Sequence, residues 1–159
     1  MKRILCSAIA LSTLIAFSNP ACAGPSSLDD ARALVAQTGL GKKLSSLALL
    51  TAKSTTTYAM IAQKLGNASA NSAVSDEINA LLPKYQPKWD ESLAAAYERS
   101  FSREELSSLA SEGRASKYAP QVRERQAGIG RYMESNAKPI LVGLVSDALK
   151  AAMSKHVPQ

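Results

Sequence analysis

Phe101-Ser102-Arg103-Glu104-Glu105-Leu106 is the stretch on which the fold turns. Ser102 and Glu105 stand at the spacing of a capping box, in which each side chain bonds the other's backbone N–H. Phe101 before the cap and Leu106 at the fourth helical position supply the hydrophobic staple that fixes how the chain turns into the helix. Just upstream, Leu93, Ala94, Tyr97 and Phe101 recur at helical spacing, with Trp89 one turn earlier. Downstream, Gly113 stands where a helix should stop. One helix therefore ends and another begins across this stretch.

The same reading extends to both ends of the chain. Glycines and prolines separate segments of helical period, and no sustained period-two alternation interrupts them. An all-α fold follows, a single compact bundle of about six helices. Residues 28–38 form the first, with Ser27 as cap and Gly39 just past its end. Residues 42–65 form the second, along the stripe Leu40, Leu44, Leu47, Thr51, Ser54, Tyr58, Ile61 and Leu65. The run Ser54-Thr55-Thr56-Thr57 has poor helix propensity, so a kink, a close helix crossing or a hydroxyl-lined pocket is expected there. Residues 66–72 read as a loop; its Asn67-Ala68-Ser69 matches the glycosylation tripeptide but is expected to be unused. Short helices follow at 76–82, ended by Pro83, and at 87–99. Then come 102–113, a helical stretch over 121–135, and a last helix over 139–154 begun by Pro139. Leu44-Ser45-Ser46-Leu47-Ala48 echoes Leu106-Ser107-Ser108-Leu109-Ala110, but the flanks differ and no repeat is inferred.

The N-terminus reads as an export signal. Lys2 and Arg3 are followed by an apolar run from Ile4 to Phe17, then a polar segment with Pro20 and the small-x-small pattern Ala21-Cys22-Ala23. Cleavage is expected after Ala23, making residues 1–23 a signal peptide and 24–159 one helical domain. The 14-residue apolar run is shorter than the roughly 20 residues a spanning helix needs. Lipidation at Cys22 would want an aliphatic residue where Asn19 stands. Both cysteines of the chain, Cys6 and Cys22, would leave with the signal, so the exported domain is held by packing alone. The signal carries two of the 19 basic residues and none of the 13 acidic ones, which leaves a net charge of +4. A periplasmic or secreted product with no transmembrane segment is expected, with nucleic acid an unsuited partner.

No residue set points to catalysis, a metal or a cofactor. The acidic pairs Asp29-Asp30, Asp76-Glu77, Asp90-Glu91 and Glu104-Glu105 each fall in the first turn of an expected helix, where negative charge complements the helix dipole. His156 is the sole histidine and lies three residues from the end. Gly128-Ile129-Gly130 follows a helical segment, so it is no dinucleotide loop and should adjust a helix contact instead. Two groups remain as partner-binding candidates. Tyr85, Lys88 and Trp89 combine aromatic and cationic character, with Trp89 also suited to capping the core. Arg114, Lys117, Arg123, Arg125 and Arg131 form a basic segment for an acidic partner or lipid head groups, or simply a solvated face.

Around Tyr97-Glu98-Arg99-Ser100-Phe101-Ser102-Arg103-Glu104-Glu105-Leu106 the chain resembles the exported bacterial domain of unknown function 2059. The resemblance runs from about Trp89 to Leu149. The next element usual in that family, an aromatic pair followed by Ser-Pro and a Gly-Lys, corresponds to Leu109 to Tyr118, which has no Ser-Pro. The resemblance implies a periplasmic all-helical fold and no particular activity. The sequence thus points first to a non-catalytic interaction or accessory protein of the cell envelope. Its alternative is a small-molecule or lipid binder with a pocket between the hydroxyl-rich second helix and the apolar last helix. An enzyme working through carboxylates is the least supported reading.

Overall fold

A computed structural model describes residues 26–157; the expected signal peptide, its cleavage point, Cys6 and Cys22 lie outside the described residues. Six α-helices account for the fold: α1 (Ser27–Thr38), α2 (Leu44–Lys53), α3 (Thr56–Leu65), α4 (Asn67–Ser100), α5 (Arg103–Glu112) and α6 (Ala119–His156). Single 3-10 turns at Leu40–Lys43 and Gly113–Ala115 join neighbours, and no strand occurs among the described residues. The fold is all-α.

Two long helices form a spine. α4 has 34 residues and α6 has 38; at 1.5 Å per residue they run about 51 and 57 Å. They lie antiparallel. Glu77 meets Lys155, Lys84 meets Asp147, and Arg99 lies over the Tyr132 ring, so position rises along α4 as it falls along α6. Each end of the spine carries its own core. At one end α2 and α3 pack on the first half of α4 and the last half of α6, burying Leu44, Ile61, Val74, Ile78 and Leu144. At the other, α1 and α5 pack on the end of α4 and the start of α6, burying Leu34, Val35, Tyr97, Phe101, Leu106 and Leu109. The last helix packs within the chain's own core: Leu144, Ala148 and Ala152 have no exposed surface. The two Leu-Ser-Ser-Leu-Ala segments sit at opposite ends and bury different faces, with Leu47 exposed where Leu109 is buried.

The capped helix start stands as the sequence predicts. Ser102 accepts from the Glu105 N–H and Glu105 accepts from the Ser102 N–H, at 3.4 and 2.7 Å. α1 has the same device one residue earlier than expected, with Ser26 and Asp29 as the reciprocal pair instead of a Ser27 cap. Gly39 closes α1 in the left-handed conformation.

Four expectations are corrected. The second helix is two: α2 ends at Lys53, and Thr55 caps α3 by accepting from the Tyr58 N–H at 3.1 Å. The hydroxyls that weaken helix propensity bond the preceding backbone instead, Ser54 to Thr51 O and Thr55 to Ala52 O. Residues 67–72 are no loop, because Gly66 turns the chain alone. Its φ of 82° and ψ of 155° lie in a region open essentially to glycine, and α4 begins at the next residue. Pro83, Pro87 and Pro139 interrupt no helix. A proline inside a helix removes one backbone hydrogen bond at a cost of about 3 kcal/mol. All three face solvent, where water can take the released carbonyls, while Leu81, Leu82, Tyr85, Trp89 and Leu141 on other faces pack against the first core. Gly128 and Gly130 adjust no helix contact, since a Cβ at either would meet nothing within 4 Å.

Candidate functional site

The acidic pairs divide by position. Asp29-Asp30 and Glu104-Glu105 do lie in first turns, at α1 and α5. Asp76-Glu77 and Asp90-Glu91 lie inside α4, so their expected capping role is corrected: there is no helix start for them to cap. Glu91 instead holds Arg32 of α1, through contacts of 2.6 and 2.9 Å. Asp90 accepts from the Gln86 amide, which also bonds Gly41 O and so anchors the first 3-10 turn on α4. Glu77, with a side chain 9% exposed, accepts from Lys155 Nζ at 3.0 and 2.8 Å, and His156 Nε2 lies 3.5 Å away. The Lys155 ammonium, then the His156 ring, hold the Glu77 carboxyl below its ordinary range against the opposing effect of burial. His156 thus ends inside a helix, beside an acid, with no nucleophile brought to it in this ion cluster.

The structure separates the residues expected to bind a partner. Tyr85 donates to Asp147 at 2.7 Å and packs beside the first core, with Lys84 on the same carboxylate at 2.9 Å. Trp89 packs against that core, as a capping residue would. Lys88 stays exposed. At the other end, Arg125 forks onto both Glu105 oxygens at 3.0 Å, donates to Ser100 O at 2.7 Å and lies over the Phe101 ring. It ties α4, α5 and α6 together. Lys117 lies over Tyr118 and 3.4 Å from Glu104. Arg114 and Arg123 are exposed and have no ion pair among the described residues, and Arg131 is exposed on α6.

Two recesses bear on binding. The first lies where the hydroxyl-rich segment faces the last helix, as the alternative reading anticipates. It is an open furrow of about 410 Å³ lined by Thr51, Thr55, Thr57, Val142, Val145 and Leu149. Of its polar side chains, Thr51 donates to Leu47 O and Thr55 is the α3 cap, while Thr57, Ser146 and Lys150 make no side-chain bond among the described residues. The second lies at the other end of the spine and has about 760 Å³. Leu34, Leu40, Tyr97, Leu109 and Val122 supply its walls, and Lys43, Glu112 and Arg114 stand around it. It forms because α1 and α5 both end here, at Gly39 and Gly113, and α6 starts at Ala119, leaving three helix ends around one space.

Tyr97 is the residue that sequence reasoning passed over. It is 6% exposed, and its ring stacks on Phe101 at a centroid distance of 5.7 Å. Its hydroxyl makes no hydrogen bond among the described residues. No side-chain polar atom described is both fully buried and unbonded, so this hydroxyl keeps accessible surface, as does that of Tyr58 in the first core, 8% exposed and likewise unbonded; Tyr97 also lines the recess at the α1–α5 end. Burial pushes the phenol above its ordinary value, which keeps it neutral and able to donate. In the sequence a tyrosine at an apolar position of a helix reads as core, and the status of its hydroxyl is a tertiary fact.

No helix among the described residues is long and apolar enough to cross a membrane. Comparison with protein families, with curated proteins and with solved structures finds no match.

Proposed function

We propose that this chain is an exported, non-catalytic binding protein that holds a small molecule in the pocket between α1, α5 and α6. The observation that carries the reading is the recess itself, about 760 Å³ between helix ends, with Leu34, Leu40, Tyr97, Leu109 and Val122 in its walls. The recess is of ligand size, and apolar walls stand beside Gln37, Thr38, Lys43, Ser111, Glu112 and Arg114, groups that can orient a small molecule. Export rests on the N-terminal pattern, and kinship of the Trp89–Leu149 segment with the domain of unknown function 2059 rests on the residues around Phe101. The non-catalytic reading is supported by the carboxylates, most of which are committed to caps and ion pairs.

The interaction-protein reading takes second place. Tyr85, Trp89 and Arg125 are engaged inside the fold. What favours it is Leu50, 68% exposed, with Val142 at 52% and the free Arg114 and Arg123.

Native mass spectrometry decides between them. The full chain is expressed with its own leader and recovered from the cell envelope. A protein mass shortened by residues 1–23 and carrying a stoichiometric small-molecule adduct supports both export and binding. A bare full-length mass, with no thermal shift on adding envelope lipids or metabolites, contradicts both.

A further inference from the structure

We propose that the face formed by α2 and the last half of α6 rests on an anionic lipid surface, with Leu50 and Val142 entering the headgroup layer and lysines around them meeting the phosphates. This face lies at the opposite end of the spine from the small-molecule recess and does not depend on it.

A helix on the outside of a bundle ordinarily buries its large apolar residues and shows polar ones. In α2 the buried positions are Leu44, Ala48 and Ala52, while Leu47 and Leu50 are turned outward. Leu50 is 68% exposed, and Val142 of α6 is 52% exposed. Thr51 and Val142 line one furrow between the two helices. Leu50, the neighbour of Thr51, and Val142 therefore stand on its two banks. Single exposed apolar side chains are common on any protein. Here they are not scattered: Leu47, Leu50, Met60 and Val142 are the large ones exposed among the described residues, and all four belong to α2, α3 or the last half of α6.

Acidic residues avoid the same end. None occurs between Asp30 and Asp76, a span that contains all of α2 and α3. From Ser135 to the end of the chain Asp147 is the sole acid, and it is turned to Tyr85 and Lys84 of α4. Asp76 and Glu77 are the acids of the first half of α4, and Lys155 holds Glu77. The others lie on α1, α5, the last third of α4 or the first half of α6. Basic side chains are spread over the whole bundle, so it is the acids that make the charge uneven. Lys42, Lys43, Lys53, Lys64, Lys138 and Lys150 are exposed at the end the acids avoid. Composition then favours lipid over protein. Protein interfaces are enriched in large aromatic residues and arginine and depleted in lysine. On α2, α3 and the last half of α6 there is no arginine, and Tyr58 is buried. Leucine and valine beside lysine are what a helix lying in a headgroup layer presents. No helix among the described residues can cross a membrane, so the contact is peripheral.

Vesicle co-sedimentation tests this, using the full-chain product with vesicles of phosphatidylcholine alone or mixed equally with phosphatidylglycerol. The mixed vesicles should hold the protein more tightly, and raised salt should release it. Lys53→Gln with Lys150→Gln should weaken binding about thirtyfold, the weight of two lysines near an anionic surface. Leu50→Gln with Val142→Gln should weaken it about tenfold at unchanged charge. Arg123→Gln with Arg131→Gln removes the same charge toward the other end of the spine and should weaken it by no more than about threefold. All six side chains are exposed, so each variant should keep the parent's thermal denaturation. A retained leader would tether every variant alike and leave these differences in place. Equal binding to both membranes, equal loss in the two charge variants, or no loss in the apolar variant overturns the proposal. So does a dimer in sedimentation equilibrium that Leu50→Gln with Val142→Gln dissolves, since the face would then belong to a second copy.

Discussion

Tyr97 and Glu77 show two ways a polar group survives burial. Glu77 is satisfied within the chain by Lys155 and His156, whereas the Tyr97 hydroxyl makes no bond in the fold and keeps access to solvent. The difference is measurable by substitution. Because the fold makes no bond to that hydroxyl, Tyr97→Phe should leave the urea midpoint of the ligand-free protein within about 0.5 kcal/mol of the parent, the range of an innocuous substitution. A loss of 1 kcal/mol or more would place the hydroxyl in the fold. At Glu77 the two partners are unequal, since the lysine side chain is 61% exposed and the glutamate 9%. Lys155→Ala strands a poorly hydrated carboxylate and should cost about 1–2 kcal/mol, discounted for the solvent on the lysine side. Glu77→Gln frees a lysine that water can hydrate and should cost less; the reverse order in thermal denaturation would contradict this account. The Glu77 carboxyl is held below its ordinary 4.5, first by Lys155. Its contribution is therefore complete above pH 4.5 and lost as pH falls through the lowered folded value. A stability–pH profile of Glu77→Gln should run closer to the parent below that window than above it.

At the scale of elements, the sequence was most legible where a local device fixes the chain. The Ser102–Glu105 box, the Gly39 stop and the buried faces of α1 and α5 can all be read from a few neighbouring residues. Legibility failed where tertiary packing overrides a local signal. Pro83 and Pro87 end a helix by propensity, yet Ile78, Leu82, Tyr85 and Trp89 lie against the first core on both sides of them and hold α4 continuous. The Asn, Ala and Ser of residues 67–72 read as a loop, although Ala70, Ala73 and Val74 bury against the core and draw the helix back to Gly66. Gly128 and Gly130 are the converse case, two residues weakening α6 where no neighbour requires a missing side chain. Replacing each with alanine should raise stability by about 0.5–1 kcal/mol, additively, because the loss of backbone freedom on folding shrinks. A lowered melting temperature in either variant would show that α6 must bend or be approached at that point.

The whole molecule divides function from support. Both cores are built on α4 and α6, but the recess of about 760 Å³ lies at the α1–α5 end, while Thr51 and Thr55 at the α2–α3 end bond their own backbone. The basic segment and the hydroxyl-rich segment could be read along the chain, whereas the recess between helix ends depends on the ends of α1 and α5 and the start of α6 meeting in space. Helical class was readable because it is written in contiguous residues. The most direct test of the account is amide hydrogen exchange across the chain, with and without the small molecule recovered with it from the cell envelope. It predicts slowed exchange in residues 34–43 and 109–122 and unchanged exchange in α2 and α3. Uniform change, or protection confined to the furrow between α2 and α6, would contradict it.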